Sequence, residues 1–219
     1  YKIDLIGGDT TSSNAGLVMS ITAIGMENNE NIVKRSGAKP NDLLVVTGDL
    51  GGAYMGLQIL EREHTVFLAD PNMQPEMEGY DYILERQLKP EARTDVKGIL
   101  EQLDIKPTSM IDISDGLASE ILHLSDQSAV GFRLYEEKIP MDSLTISIAD
   151  EFNLNPVVTA LSGGEDYELL FTISPNDFDK IKNHPDFTII GHAVEKEDGN
   201  FMVARGSNQL IALTAQGWD

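Results

Sequence analysis

Apolar residues in this chain come in short blocks, and the spacing inside each block separates strands from helices. Apolar runs bounded by turn residues predict strands at 1–6, 16–25, 43–47, 110–113, 130–135, 168–173, 188–193 and, in a late hairpin, 201–204. Helical spacing predicts helices over about 53–63, 78–88, 94–103, 117–126, 143–152 and 175–183. In the first helix Leu57, Ile59 and Leu60 supply the apolar face; Pro90 stops the second, and Thr94 is a candidate cap for the third. The block 157–161 fits either a helix or a strand. Such alternation predicts a layered α/β architecture, an α+β fold of sheet packed against helices. No internal repeat, heptad or low-complexity segment interrupts it.

Composition narrows the partners. The 219 residues are 41% hydrophobic, enough for one large domain or two small ones with real cores. Sixteen basic residues face 36 acidic ones, a net charge of −20. A surface this acidic repels nucleic acid and anionic lipid. It also repels free phosphate esters, unless cations or backbone donors intervene. If the chain binds phosphates, metal ions are expected between phosphate and carboxylate. There is no cysteine, which removes disulfides, thiol nucleophiles and cysteine-bound zinc and fits a cytoplasmic protein. No apolar run is long enough to span a bilayer. The histidines at 64, 123, 184 and 192 share no metal-binding spacing.

Three segments each set a carboxylate beside Gly or Ser in a tight turn: Gly7-Gly8-Asp9-Thr10, Asp112-Ile113-Ser114-Asp115-Gly116 and Ser162-Gly163-Gly164-Glu165-Asp166. Glycine lets backbone N–H groups approach a ligand, and an Asp at a strand end can hold a hard cation. Asp and Gly are also the ordinary residues of turns, so each segment alone is weak. The middle one says most. There a predicted strand ends at Asp112 and a predicted helix begins after Asp115, and a helix N-terminus attracts phosphate. Two carboxylates beside it would repel that phosphate unless they hold cations. Capping by Ser114 or Asp115 would explain one residue, but not Asp112 at the strand end.

Ile111-Asp112-Ile113-Ser114-Asp115-Gly116-Leu117 and Ser162-Gly163-Gly164-Glu165-Asp166-Tyr167-Glu168-Leu169 resemble segments of the thiamine-monophosphate kinase family. So do Leu5-Ile6-Gly7-Gly8-Asp9-Thr10-Thr11, Arg35-Ser36-Gly37-Ala38-Lys39-Pro40 and Val46-Thr47-Gly48, in the family's order from residue 5 to Trp218. The resemblance implies an aminoimidazole ribonucleotide synthetase-like fold and ATP-dependent phosphorylation of thiamine monophosphate with magnesium ions. It implies magnesium ligation by Asp9, Asp112 and Asp115, nucleotide contacts from Gly8, Asp9, Arg35 and Ser114, and thiamine phosphate contacts from Glu165 and Trp218. A forked guanidinium suits phosphate, and a Trp face suits a heteroaromatic cation.

The family carries further metal-ligand segments upstream of the point matching Tyr1. The expectation is therefore an N-terminally incomplete chain. Residues 1–30 would be the remnant of an N-terminal ATP- and metal-binding domain, and 31–219 the C-terminal domain. A homodimer is implied, with the interface partly in the upstream portion. The run Gln87-Leu88-Lys89-Pro90-Glu91-Ala92-Arg93 departs from the family pattern, and Arg93 is expected only to pair with surface acids. The alternatives are another ATP-using enzyme of the superfamily, a non-catalytic nucleotide-binding module, or an acidic α/β domain without a ligand.

Overall fold

The structure is a computed structural model that describes residues 1, 3–14 and 16–215. Contacts divide the chain into Tyr1–Ile32 and Val33–Asp219. Among the described residues of the first unit there is no strand or helix. The strands expected at 1–6 and 16–25 are thus not formed. Apolar, β-branched side chains favour a pleated surface, but a strand exists only when a neighbour takes up its backbone N–H and C=O groups. No strand pairing involves these segments.

The second unit is built on one sheet of seven strands: β1 (Leu43–Thr47), β2 (Ser109–Asp112), β3 (Gly131–Tyr135), β4 (Leu169–Ile173), β5 (Phe187–Val194), β6 (Asn200–Val203) and β7 (Leu210–Ala212). Their spatial order is β2-β4-β1-β5-β3-β6-β7. Every pairing is antiparallel except β3 with β6, so the sheet is mixed. The expected late hairpin is β6–β7, but β6 also lies parallel to β3. Strand β7 escapes sequence reading because its three residues are too short to show an alternation.

Helices cover both faces: α1 (Gly52–Ala69), α2 (Asp81–Leu88), α3 (Asp95–Gln102), α4 (Leu117–Ser128), α5 (Ser143–Glu151), α6 (Pro156–Ser162) and the short α7 (Phe178–Ile181). Residues 175–183, expected as one helix, form a 3-10 turn at Pro175–Asp177 before that single α turn. The ambiguous block 157–161 is helical, with Asn155 accepting from the Val157 N–H and Pro156 in the first turn.

Strand β1 shows why its sequence is continuously apolar. Leu44 and Val46 join the core cluster of Ile113, Leu117, Ile121 and Phe132 on one face. Val45 joins Val96, Leu100, Phe171 and Ile181 on the other. A central strand covered on both sides has no polar face to alternate with. A third cluster, with Met55, Ile59, Ile83 and Ile148, ties α1, α2 and α5 together.

The α1–α2 contact depends on one missing side chain. At Gly56 a Cβ atom would overlap the Ile83 carbonyl. Alanine is the better helix former by about 1 kcal/mol. Gly56→Ala should nonetheless destabilise the protein by about 1–3 kcal/mol, as overpacked interiors do. Urea unfolding of the two proteins checks the sign.

Candidate functional site

The site begins where β2 runs out. The β2–β4 ladder pairs Asp112 with Leu169 and then continues past both strand ends. The Ile113 N–H donates to the Glu168 carbonyl, the Tyr167 N–H to the Ile113 carbonyl, and the Glu165 N–H to the Ser114 carbonyl, each at 2.8 Å. Two turns far apart in sequence are thereby zipped together. Gly164 (φ +67°) makes the approach possible, since a Cβ there would stand 2.6 Å from the Ser114 carbonyl oxygen. Glu165 and Tyr167 also take left-handed backbone conformations, at φ 60° and 52°. Such conformations cost roughly 1–3 kcal/mol each and persist only where the surroundings enforce them.

Alternation sorts the side chains of this segment. Glu165 and Tyr167 are half-buried on one side, and the Tyr167 hydroxyl donates to Glu165 at 2.9 Å. That hydrogen bond is the largest of the causes raising the tyrosine pKa; burial and the charges of Glu165, Asp112 and Asp115 add to it. Asp112 and Asp115 are exposed, and neither carboxylate has a hydrogen-bond or ion-pair partner among the described residues. The structure therefore brings together Asp112, Ser114, Asp115 and Glu165.

Neither Ser114 nor Asp115 caps α4. The cap position is Gly116 (φ 108°), with no side-chain hydrogen bond. Glu120 instead reaches back from inside the helix. It accepts from the Asp115 N–H at 3.2 Å and the Ser114 hydroxyl at 3.4 Å. Burial raises its pKa. The other expected residues lie apart. Arg35 sits at the opposite end of α4, where the Ser128 hydroxyl meets the Arg35 carbonyl at 3.4 Å. A 12-residue helix is about 18 Å long. Its guanidinium is exposed and has no partner among the described residues. Gly8 and Asp9 belong to the first unit, where the Asp9 carboxylate accepts from the Thr10 N–H at 2.9 Å. Trp218 lies outside the described residues.

The other side of the segment holds residues that sequence reading missed. Asp166 and Glu168 point away from Glu165 into the interior, with side chains 0% and 5% exposed. Asp166 accepts from the Gly51 N–H at 2.9 Å and the Ala53 N–H at 3.4 Å, at the positive end of α1. Glu168 receives Arg86 at 2.8 Å on one oxygen and Arg93 at 2.7 Å on the other, together with the Thr47 hydroxyl. Arg93 therefore does more than pair with the surface acid Asp95, because its second partner is a buried carboxylate. Nothing in the order Glu165-Asp166-Tyr167-Glu168, three acids around one aromatic residue, marks which acids turn inward. Tyr82 donates to Asp49 beside this cluster at 2.6 Å. A cavity of about 290 Å³ opens over it, lined by Tyr82, Arg86, Lys89, Pro90, Arg93 and Glu168. A second cavity, of about 310 Å³, is lined mainly by apolar residues, among them Val157, Leu161, Met202 and Leu213, and reaches Ser162 beside the Glu165 turn.

Among the described residues no group of three or more His, Asp or Glu side chains is placed to hold a metal by itself. Asp112 and Asp115 offer two unpaired hard-oxygen donors. That fits magnesium, which is usually bound through one or two carboxylates, substrate phosphates and water.

No protein-family model matches the chain. Individual relatives do. The thiamine-monophosphate kinase of Bacillus subtilis (strain 168) is 34% identical over 226 residues, covering 100% of this chain and 65% of the relative. That of Escherichia coli (strain K12) is 33% identical over 225 residues, covering 100% and 64%. The chain thus spans just under two thirds of these relatives' lengths. Among solved structures, "AaThiL complexed with AMPPCP and TMP" matches with a TM-score of 0.66 and 32% identity, over 78% of this chain and 50% of that one. E. coli HypE, a hydrogenase maturation protein, shares the fold at a TM-score of 0.56 and 15% identity, over 84% of this chain and 53% of that one. The mixed sheet with its helical layers is the aminoimidazole ribonucleotide synthetase-like fold. Within that class, the chain is similar along its whole length to thiamine-monophosphate kinases.

Burial pushes the Asp166 carboxyl up to about 6, against the opposing pull of the Gly51 and Ala53 amides and the Arg86 charge. Its ordinary value is 3.8, so between these two values the folded chain binds more protons than the unfolded one. The contribution of this group then weakens as pH rises through that window. Asp166→Asn should remove that part of the slope. Urea midpoints of both proteins between about pH 4 and 7 are the check.

Proposed function

We propose that the complete protein transfers the γ-phosphoryl group of ATP to thiamine monophosphate, giving thiamine diphosphate and ADP. The observation that carries this reading is the junction of the Asp112–Asp115 turn with the Glu165 turn, in a chain similar to thiamine-monophosphate kinases along its whole length. The solved relative bound to AMPPCP and TMP supports the same pair of substrates.

The acceptor is a phosphate oxygen that is already anionic, so in-line attack on the γ-phosphorus needs no strong general base. The chain's task is positioning and charge management. Bound magnesium would neutralise phosphate charge that the −20 chain would otherwise repel. Asp112 and Asp115 would hold it, and Asp9 would likewise be a magnesium ligand. Ser114, Gly8, Asp9 and Arg35 would contact the nucleotide. The exposed, unpartnered guanidinium of Arg35 suits that task. Glu165 would meet the thiamine phosphate, with Trp218 against its cationic ring, and the largely apolar cavity beside Ser162 has room for the ring portion. Residues 1–30 would belong to an N-terminal ATP- and metal-binding part, and the enzyme would act as a cytoplasmic homodimer. No helix among the described residues is long and apolar enough to cross a membrane.

A second reading concerns these 219 residues alone. They span just under two thirds of the relatives, and no three-carboxylate metal group forms among the described residues. By themselves they would bind magnesium–ATP without turnover.

In the complete gene product, Asp112→Asn should lower kcat about a hundredfold and raise the magnesium requirement, as losses around metal sites commonly do. An unchanged rate and magnesium dependence would remove Asp112 from the metal. Glu165→Ala should raise the KM for thiamine monophosphate about tenfold or more, the scale of a charge-assisted contact. The KM for ATP should stay within about twofold. The reverse pattern would take Glu165 out of the acceptor site.

A further inference from the structure

The segment that presents Glu165 is held from behind, and nothing in the reaction just described uses the residues that hold it. Glu168 is the main anchor. Its carboxylate is gripped by Arg86 from α2, Arg93 from the α2–α3 connection and the Thr47 hydroxyl from β1. Thr47 is itself fixed, because its hydroxyl oxygen accepts the Leu169 N–H at 2.8 Å. The carboxylate lies so close under the β1–α1 turn that a Cβ on Gly48 (φ +55°) would overlap it. Asp166 supplies the second anchor at the start of α1. Between and beside these anchors the chain holds two non-glycine residues in left-handed conformations, Glu165 and Tyr167. Relaxing either would turn its side chain away from Asp112 and Asp115. The strain needs an opposing restraint, and the two buried carboxylates supply one from behind, beside the backbone hydrogen bonds to Ile113 and Ser114 in front.

We propose that the Arg86–Glu168–Arg93 clamp is a positioning device for the acceptor substrate: it sets where the Glu165 carboxylate stands, and through it the affinity for thiamine monophosphate. Arg86, Arg93 and Glu168 are positioning residues that do not touch the reacting atoms. The inference rests on the assignment of Glu165 to the acceptor site. It also gives Arg93, to which the departing run 87–93 lends no role, a definite one.

The test is steady-state kinetics of the complete gene product carrying Glu168→Gln or Arg93→Lys. Glutamine keeps the shape of the clamped group, and lysine keeps the charge but loses the fork. Each should raise the KM for thiamine monophosphate about tenfold, since misplacements of about 1 Å are felt on that scale or above. The KM for ATP should stay within about twofold. Gly131→Ala is the stability control: its Cβ would overlap the Gly199 carbonyl, where β3 pairs with Val194 at the opposite end of β5 from Thr47, and it should leave both KM values unchanged. Glu168→Gln added to Glu165→Ala should raise the acceptor KM no further, because both changes act through one carboxylate. If Arg93→Lys does not fold, Glu168→Gln and the double variant carry the test. The clamp is overturned if both KM values move together, if neither moves in the folded Glu168→Gln protein, or if the double variant is additive. An unchanged acceptor KM in Glu165→Ala alone would instead remove Glu165 from the acceptor site.

Discussion

A buried carboxylate shared by two arginines holds the working end of this molecule in place. Glu168 lies on the segment running into β4, Arg86 on α2, Arg93 before α3, and Thr47 at the end of β1. One charged group therefore ties together four pieces of chain that no common core cluster unites. Taking a carboxylate out of water costs several kcal/mol, and only well-directed charge-assisted hydrogen bonds offset it. Both arginines contribute: Arg86 satisfies one carboxylate oxygen, and Arg93 with the Thr47 hydroxyl satisfies the other.

That constraint also explains how a chain of net charge −20 spends its few arginines. There are six, at 35, 62, 86, 93, 133 and 205. Arg86 and Arg93 hold Glu168, Arg62 bridges Glu63 and Glu151, and Arg133 braces backbone carbonyls of Gly199 and Asp198. Planar, always-charged guanidinium groups are the cations best suited to such fixed multi-donor positions. Among the described residues the guanidinium groups of Arg35 and Arg205 have no partner. Arg35 is thus one of two arginines left unpartnered among the described residues, which gives its exposure its weight.

Much of the fold was legible because its elements carry their own signals. The uninterrupted apolar run of β1 announces a strand covered on both faces, and helices α1 to α5 lie within a few residues of their predicted bounds, except that α1 runs on to Ala69. The failures share a cause. Residues 1–6 and 16–25 have strand-like composition, but pairing is a property of two segments and composition reports only one. The three-residue β7 and the parallel β3–β6 pairing are likewise long-range facts. The candidate site divides the same way. Asp112, Asp115 and Glu165 stood out because turns rich in Gly and Asp are visible locally. Arg86 and Arg93 did not, because their partner lies 82 and 75 residues away.

The two sides of the 165–168 segment also show why its charged residues cannot be treated as one acidic cluster. Glu165 faces Asp112 and Asp115, where no cation among the described residues balances the charge, whereas Asp166 and Glu168 face amide N–H groups and guanidinium ions. A segment with all four side chains on one side would concentrate repulsion with no cation to relieve it. Side chains that turn to opposite sides avoid this, through a backbone that is left-handed at 165 and 167, and the Tyr167 hydroxyl on Glu165 keeps the outer pair together. The interior pair is neutralised by the protein itself. Among the described residues the carboxylates of Asp112 and Asp115 have no partner, and the function proposed above would balance them with a hard divalent cation.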